Sequence, residues 1–258
     1  MMKTRKKIIL LWLAAAIIAV TGWLWAAIVL SEGFEGAGYD SGLQDDSGTG
    51  TGCTVDPDYT GITFTGGGAQ CLRLVRATTG FQVHVRWTLP VTYPEKSYTI
   101  FMYDLISSGV TDGNSNVIAR FTDSLGISQN LTLKNVSNKF YLFLNLQGWG
   151  TNITSSEIVV GTKYKVGLKL DFTGHGGANS GSVEMQLDDV SQGVSALAWS
   201  DICDIKTIYL GYVSAQSFAD EMCFDLFKID NATWPTYASA WTNMPAAFHG
   251  IIWSPKSR

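Results

Sequence analysis

Charged residues are scarce in this chain of 258 residues, at 16% of the total, and no acidic residue precedes Glu32. The three histidines and four cysteines form no familiar motif: the sequence contains no H-E-x-x-H, no G-x-S-x-G and no C-x-x-C. The first absence excludes a zincin, and the other two disfavour a serine hydrolase and a zinc site of the zinc-finger type. Amphipathic helical stretches of useful length and internal repeats are also missing, so neither a helical domain nor a repeat array is expected.

The N-terminal segment combines basic residues with a long apolar run. Four Lys and Arg residues lie within MMKTRKK, and Ile8–Leu30 follows with 23 uncharged residues. This pattern predicts a hydrophobic helix over residues 1–30, either a cleaved secretory signal or an uncleaved membrane anchor. Cleavage after Gly22 or Ser31 fits the first interpretation, and about 20 apolar residues suffice for the second. In both cases we expect the body of the protein to be exported, extracellular or at the cell surface.

The remainder of the chain is acidic. After residue 30 there are 14 of the 18 Lys and Arg residues and all 22 Asp and Glu residues, which gives a net charge of −8. Binding to phosphates needs clustered Lys and Arg. A nucleic acid is therefore not expected as a partner.

Four cysteines, an even number, are expected to form two disulfides in an exported protein. They are Cys53, Cys71, Cys203 and Cys223, and they allow three pairings. The simplest joins sequence neighbours, Cys53 with Cys71 and Cys203 with Cys223, and each bond would stabilise the fold by about 3 kcal/mol. Buried thiols are the alternative if the surroundings are reducing.

From residue 31 onward, apolar residues recur with a period of two, which is typical of strands with one solvated face. The alternation is clear in Lys163–Phe172, Ser182–Asp189 and Phe81–Trp87, whereas Tyr98–Leu105 and Lys139–Leu146 are apolar on both faces and are predicted to be central strands. Further candidates are Ala69–Val75, Asn116–Thr122, Asn130–Lys134, Lys206–Val213 and Glu221–Ile229. About ten to twelve short strands predict one all-β domain over residues 31–232, a β-sandwich or a barrel.

Residues 233–258 differ from this domain. They contain Trp234, Trp241, Trp253 and Phe248 together with three of the six prolines. Because free tails rarely keep so many large apolar side chains, we expect this aromatic tail to pack back on the sandwich. An exposed adhesive patch is the alternative.

Several segments follow one another in a recognisable order of strands and turns. EGFEGAGYD is followed by TVDPDYTG and AQCLRL, then by VGTKYKVGLKLDF with GSVEMQLDD, and finally by IYLGYVSAQSFADEMCFDLFKID. Over roughly residues 32–230 this order resembles the concanavalin A-like lectin/glucanase superfamily in its laminin-G-like form. The resemblance implies an antiparallel jelly-roll sandwich in which the first and last strands are neighbours, here Glu32–Gly36 beside Phe224–Ile229.

The resemblance also implies candidate sites. Laminin-G-like and lectin relatives often bind calcium, and Glu35 facing Asp225 is the pair of ligands expected here. Glucanases of this superfamily carry paired acids close to E-x-D-x-x-E, but Gln186 stands between Glu184 and Asp188 in VEMQLDD, so no catalytic residue is assigned. The sequence QVH at Gln82–His84 matches part of a polysaccharide-lyase pattern without its partner motif.

A glycan site needs an aromatic face and a few polar side chains fixed by rigid strands. Trp149 lies between two glycines in QGWGTN, which is typical of an exposed loop tip. The polar faces of the predicted strands supply six further candidate ligand-binding residues: Gln82, His84, Arg86, Arg120, Asn145 and Gln147. We therefore expect a non-catalytic module that binds carbohydrate or another cell-surface ligand. A glycosidase or lyase of the same fold and a structural surface or filament subunit are the alternatives.

Overall fold

A computed structural model describes residues 28–35, 44–45, 53–77, 82–89, 96–145, 152–173, 181–197, 202–213, 218–231 and 234–235. The predicted signal or anchor lies outside these ranges except for its last three residues. Within the ranges, no helix is long and apolar enough to cross a membrane.

The described part of the chain contains fifteen strands, arranged in two antiparallel sheets, and no helix. The eight-stranded sheet consists of β1 (Ile28–Glu32), β3 (Cys53–Tyr59), β4 (Cys71–Arg76), β6 (Lys96–Ser108), β11 (Lys163–Asp171), β12 (Ser182–Leu187), β13 (Val190–Ala196) and β15 (Asp220–Asp230). The seven-stranded sheet consists of β2 (Gln44–Asp45), β5 (Val83–Thr88), β7 (Ser115–Thr122), β8 (Ser128–Val136), β9 (Lys139–Asn145), β10 (Ile153–Ile158) and β14 (Thr207–Tyr212).

The last strand, β15, organises the eight-stranded sheet, whose order is β13-β12-β11-β6-β15-β4-β3. One edge of β15 pairs with β6, and the other pairs with β4 over Asp220–Phe224 and with β1 over Phe227–Asp230. The first and last strands are therefore neighbours, as the resemblance implied. The predicted start of the first strand is wrong, however. Ile28–Glu32 already pairs with β15, and the chain turns away at Phe34, whose φ is 54°.

One large apolar core fills the space between the sheets. The predicted inward faces of residues 163–172 and 182–189 are buried in it, as are Val83, Val85 and Trp87 of β5. Trp87 stacks on Phe227 of β15 with ring centroids 4.6 Å apart, which joins the two sheets directly. The seven-stranded sheet has the order β10-β9-β8-β7-β14-β5-β2. Together these features make the protein a jelly-roll β-sandwich, as expected.

Short hairpins depend on residues that tolerate a positive φ. Asp188 and Asp189, with φ of 51° and 64°, join β12 to β13. Two consecutive left-handed residues are typical of the type I′ turn, in which Asp and Asn are favoured. The strand predicted over Ser182–Asp189 therefore ends at Leu187, and Asp188 is not on a strand face with Glu184.

A buried polar network links the sheets at one end of the core. Arg76 of β4 and Asp220 of β15 form an ion pair of 2.8 Å whose side chains are fully buried. Asp220 also accepts hydrogen bonds from Ser108 and from Asn116, which belongs to β7 in the opposite sheet. Buried charges are tolerated when they are paired and hydrogen-bonded in this way.

The expected pairing of neighbouring cysteines is wrong. In the pairing of β3 with β4, Cys53 lies opposite Arg76, whereas Cys71 lies opposite Tyr59 at the other end, too far for a disulfide. Cys203 is a thiol that donates to the carboxylate of Asp123, away from Cys223. Cys71 and Cys223 are buried thiols in one small apolar cluster on the outer side of the eight-stranded sheet.

The aromatic tail is described only at Trp234 and Pro235. The indole of Trp234 packs edge-on against Tyr98 of β6, with ring centroids 5.3 Å apart. This contact lies on the outer side of the eight-stranded sheet and agrees with the expected packing at this one point. The rest of the tail lies outside the described residues.

The position of β1 gives a test of the N-terminal boundary. A protein that starts at Glu32, as cleavage after Ser31 would leave it, lacks most of the pairing between β1 and β15. At about 1 kcal/mol for each lost hydrogen bond, we expect it to melt roughly 5–10 °C below a protein that starts at Ile28. Thermal melting followed by circular dichroism compares the two proteins, and equal midpoints would contradict a stabilising role for β1.

Candidate functional site

A row of polar side chains crosses the outer face of the seven-stranded sheet. Arg86 of β5 lies opposite Tyr209 of β14, Tyr209 lies opposite Arg120 of β7, and Arg120 lies opposite Asn130 of β8. The residues on either side of each of these four are buried, so strand alternation directs the four side chains outward. All four are partly exposed. We call Arg86, Tyr209, Arg120 and Asn130 the polar row.

Tyr209 is the aromatic member of the polar row. The ring of His84 contacts it edge-on, with centroids 5.3 Å apart and an interplanar angle of 65°. His84 was expected on the solvated face of its strand, but only 2% of its surface is exposed. Its geometry is therefore suited to holding the ring of Tyr209 rather than to contacting a large ligand itself.

Arg120 is fixed within the polar row by its neighbour. Its Nε donates a hydrogen bond of 2.9 Å to Oδ1 of Asn130 on the adjacent strand. The bond uses one of the five guanidinium donors, which leaves the others available on a partly exposed surface.

The structure brings some of the predicted binding residues together and leaves others outside its description. Arg86 and Arg120 share the polar row, and Gln82 is exposed just before β5. Asn145, at the end of β9, lies opposite Asn130, so its backbone is next in line after the polar row. Its side chain, and the residues Gln147 and Trp149, lie outside what the structure describes.

Sequence reasoning missed Tyr209 and Asn130. Alternation along β14 could have identified Tyr209. Ile208, Leu210 and Tyr212 are buried in the core, so the tyrosine between the first two faces outward. It was hidden because the segment IYLGY is apolar or aromatic at nearly every position, so its outer face is not marked by charge.

A second cluster lies on the opposite sheet, where β1 ends and β4 begins along β15. Neither strand covers the middle of β15, and this opening, which we call the acidic gap, contains the carboxylates of Glu35 and Asp225. The backbone is in the left-handed region just before Glu35 and just after Asp225, with φ of 54° at Phe34 and 50° at Leu226. Such conformations cost energy and are concentrated at functional sites.

Backbone groups hold both carboxylates of the acidic gap. The amides of Ala69 and Gln70 donate to the two carboxylate oxygens of Glu35, at 3.0 and 3.2 Å. Gly67 lies so close to Asp225 that a Cβ atom there would overlap the carboxylate, and Gly68 has the same relation to Glu35. Oδ1 of the fully buried Asp225 accepts a bond of 2.6 Å from its neighbour's amide, whereas Oδ2 has no partner within the described residues.

The electrostatics of the acidic gap favour a cation. Burial raises the pKa of Asp225 to about 7, and the negative charges of Glu35 and Glu32 act in the same direction. A carboxylate with a buried, unpartnered oxygen and like-charged neighbours gains most from a hard cation. The described part of the chain contains no cluster of three or more Asp, Glu, His or Cys side chains arranged to hold a metal. Glu35 and Asp225 would therefore need backbone carbonyls to complete a calcium shell, which calcium accepts.

The fold and the polar row define a class: a jelly-roll β-sandwich that presents polar and aromatic side chains on one outer face. No family model and no curated protein matches the sequence. Solved structures with this fold include the cellulose induced protein Cip1, with a TM-score of 0.57 and 14% identity over 80% of this chain and 98% of that one.

Two other similar structures are of different kinds. The globular domain of T. cruzi calreticulin has a TM-score of 0.51 and 10% identity over 80% of this chain and 89% of its own. The binding domain of botulinum neurotoxin serotype D has a TM-score of 0.52 and 11% identity. The match covers 82% of this chain but only 49% of the toxin domain. At these identities the similarity shows the fold alone.

The close approach of Gly67 to Asp225 can be tested by substitution. In Gly67→Ala the new methyl group would displace a buried carboxylate, so we expect a loss of about 1–3 kcal/mol and a melting temperature lower by several degrees. Gly33→Ala is the matched control, because a Cβ atom there meets Glu35 only at an ordinary contact distance of 3.8 Å. Equal melting temperatures for the two variants would contradict the described packing of the acidic gap.

Proposed function

We propose that this protein is an exported, non-catalytic carbohydrate-binding module of the concanavalin A-like type, and that the polar row binds the glycan. The observation that carries the proposal is the alignment of Arg86, Tyr209, Arg120 and Asn130 across four adjacent strands. At about 4.8 Å between strands, the row spans roughly 14 Å, which suits several sugar units rather than one small molecule.

The chemistry of the polar row suits a sugar. A tyrosine ring offers a flat apolar face for the C–H side of a pyranose, while arginine and asparagine exchange hydrogen bonds with hydroxyl groups. The bond between Arg120 and Asn130 and the contact of Tyr209 with His84 hold these side chains before binding, which lowers the entropic cost of association. Similarity of fold to a cellulose induced protein and to a toxin's binding domain is consistent with this function.

Export is part of the proposal. The basic start and the apolar run of Ile8–Leu30 support a signal or an anchor. Because β1 begins at Ile28, cleavage after Gly22 is compatible with an intact first strand, whereas cleavage after Ser31 is not.

Replacement of Tyr209 tests the binding face. We expect Tyr209→Ala to weaken binding of the best ligand from a glycan array about tenfold, because the ring's stacking surface is lost. Titration calorimetry with wild type and variant measures the change. Tyr59→Ala is the control, since Tyr59 lies on the eight-stranded sheet, where its ring contacts Arg73. Equal weakening by both substitutions, or none by Tyr209→Ala, would contradict the proposed face.

The position of Arg86 opposite Tyr209 favours a second candidate function, cleavage of the same glycan by a lyase. The arginine can neutralise the carboxylate of an acidic sugar while the oxygen of the tyrosine takes the proton beside that carboxylate, as β-elimination requires. New ultraviolet absorbance from unsaturated products, on incubation with uronate polysaccharides, would establish this function and rule out binding alone.

For the acidic gap, we propose a structural calcium ion held by Glu35 and Asp225. When bound, the ion would supply positive charge to a buried carboxylate that Glu35 and Glu32 disfavour, in addition to the charge of Lys228. At a concentration about 100 times its dissociation constant, it would stabilise the fold by about 2.7 kcal/mol.

Calcium addition to chelator-treated protein tests this site. We expect the melting temperature of the wild type to rise by roughly 5–10 °C, and the rise to disappear in Asp225→Asn. Without calcium the variant should be at least as stable as the wild type, because it removes a carboxylate that burial disfavours. Glu184→Gln, on the same sheet but three strands from Asp225, should keep the calcium response. A wild type that does not respond to calcium would refute the site.

A further inference from the structure

Most basic side chains of the eight-stranded sheet pair with carboxylates, although Lys163 donates instead to the carbonyl oxygen of Thr63. On the eight-stranded sheet, Lys and Arg residues of several strands each pair with a carboxylate: Arg73 with Glu221, Arg76 with Asp220, Lys96 and Lys169 with Asp171, and Lys165 with Asp189. This is the ordinary arrangement in a protein whose body has a net negative charge.

On the seven-stranded sheet, two cations have neutral partners. Arg120 donates to the amide oxygen of Asn130, and Nζ of Lys134 lies 4.9 Å from the ring centroid of Phe143. Neither forms an ion pair with a carboxylate of the described residues. Lys139, near the edge of the sheet, is different because it pairs with Glu157 at 2.7 Å.

Carboxylates are absent from the middle of this sheet. The five consecutive strands β9, β8, β7, β14 and β5 contain no Asp or Glu at all, yet they contain Arg86, Arg120, Lys134, Lys139 and His84. By contrast, β15 alone contains four acidic residues. These five strands, which include the four that carry the polar row, therefore have a net positive charge, although the body of the protein is acidic.

We infer that the ligand of this face is an anionic polysaccharide, one that carries carboxylate or sulfate groups. This inference rests on the proposed function and narrows it. Arginine binds planar carboxylates and sulfates through parallel hydrogen bonds, so the unused donors of Arg120 are suited to such a group. Arg120 and Lys134 are separated by about four residues along β8, roughly 13 Å, which fits charges repeated along a polymer rather than a single small anion.

Matched pairs of polysaccharides test the inference on the full-length protein. Polygalacturonate is compared with its methyl ester, and dextran sulfate with dextran, so that the backbone stays the same while the charge changes. We expect at least one charged member to bind about tenfold or more tightly than its neutral counterpart, with an affinity that falls as salt is added. The two pairs show whether the carboxylate or the sulfate is the preferred group.

Two variants distinguish recognition by Arg120 from non-specific electrostatic attraction of the protein to any polyanion. Arg120→Met keeps the side-chain stem and removes the charge, so it should weaken binding of the charged polymer about tenfold and weaken binding of a neutral polymer clearly less. Lys139→Met is the matched control, because Lys139 is already paired with Glu157, and it should change little. Polyaspartate should bind weakly, and equal binding of polyaspartate would overturn recognition of a glycan.

The outcomes distinguish the two proposals. If neutral and charged polymers bind equally and Tyr209→Ala weakens both, the anionic ligand is wrong while the carbohydrate-binding face stands. If no polysaccharide in these pairs or on the array binds, both proposals fail.

Discussion

The sharing of β15 between three strands is the constraint on which the rest of the structure depends. Its inward residues Phe224 and Phe227 lie in the core, and the stack of Phe227 on Trp87 sets the seven-stranded sheet against it. Along one edge of β15, β4 pairs with its first half and β1 with its second half. The residues in the middle of β15 have no partner strand on that edge. The acidic gap is therefore a consequence of strand order. The carboxylate of Asp225 is buried there because Gly67 lies directly against it, at a position that is not covered by β1 or β4.

The same strand also reaches the polar row. Asp220, at the start of β15, pairs with Arg76 and accepts a hydrogen bond from Asn116 of β7. Arg120 lies on β7 as well, so the buried network fixes the register of a strand that presents a residue of the polar row. A buried ion pair is weak evidence for stability, because desolvation offsets much of its attraction. The network constrains the position of β7 more than it stabilises the fold. A displacement of β7 would leave buried polar groups unpaired, at a cost of about 1–3 kcal/mol for each group.

Period-two alternation predicted most of the strands, the all-β fold and the inward faces of β5, β11 and β12, because alternation is a local property. What depends on distant partners was not predictable in the same way. The start of β1 at Ile28 is decided by pairing with β15, and an apolar run gives no sign of where a membrane segment would end and a strand begin. The predicted bond between Cys53 and Cys71 is wrong because the two residues lie at opposite ends of the β3–β4 pair. Of the candidate site, the charged residues Arg86 and Arg120 were predicted, whereas Tyr209 was missed because it stands between the apolar residues Ile208 and Leu210.

The two sites face away from each other, and this separates their roles. The polar row is on the outer face of the seven-stranded sheet, whereas Glu35 and Asp225 lie on the outer side of the eight-stranded sheet. Packed sheets are about 10 Å apart, so a cation in the acidic gap cannot touch a sugar on the polar row. Calcium could then affect glycan binding only by changing the fraction of the protein that is folded. Below the melting temperature of the calcium-free protein, the affinity for the glycan should be the same with and without calcium. Coupling between the two sites would require that one ligand changes the contacts of the other, and the two sites are too far apart for this.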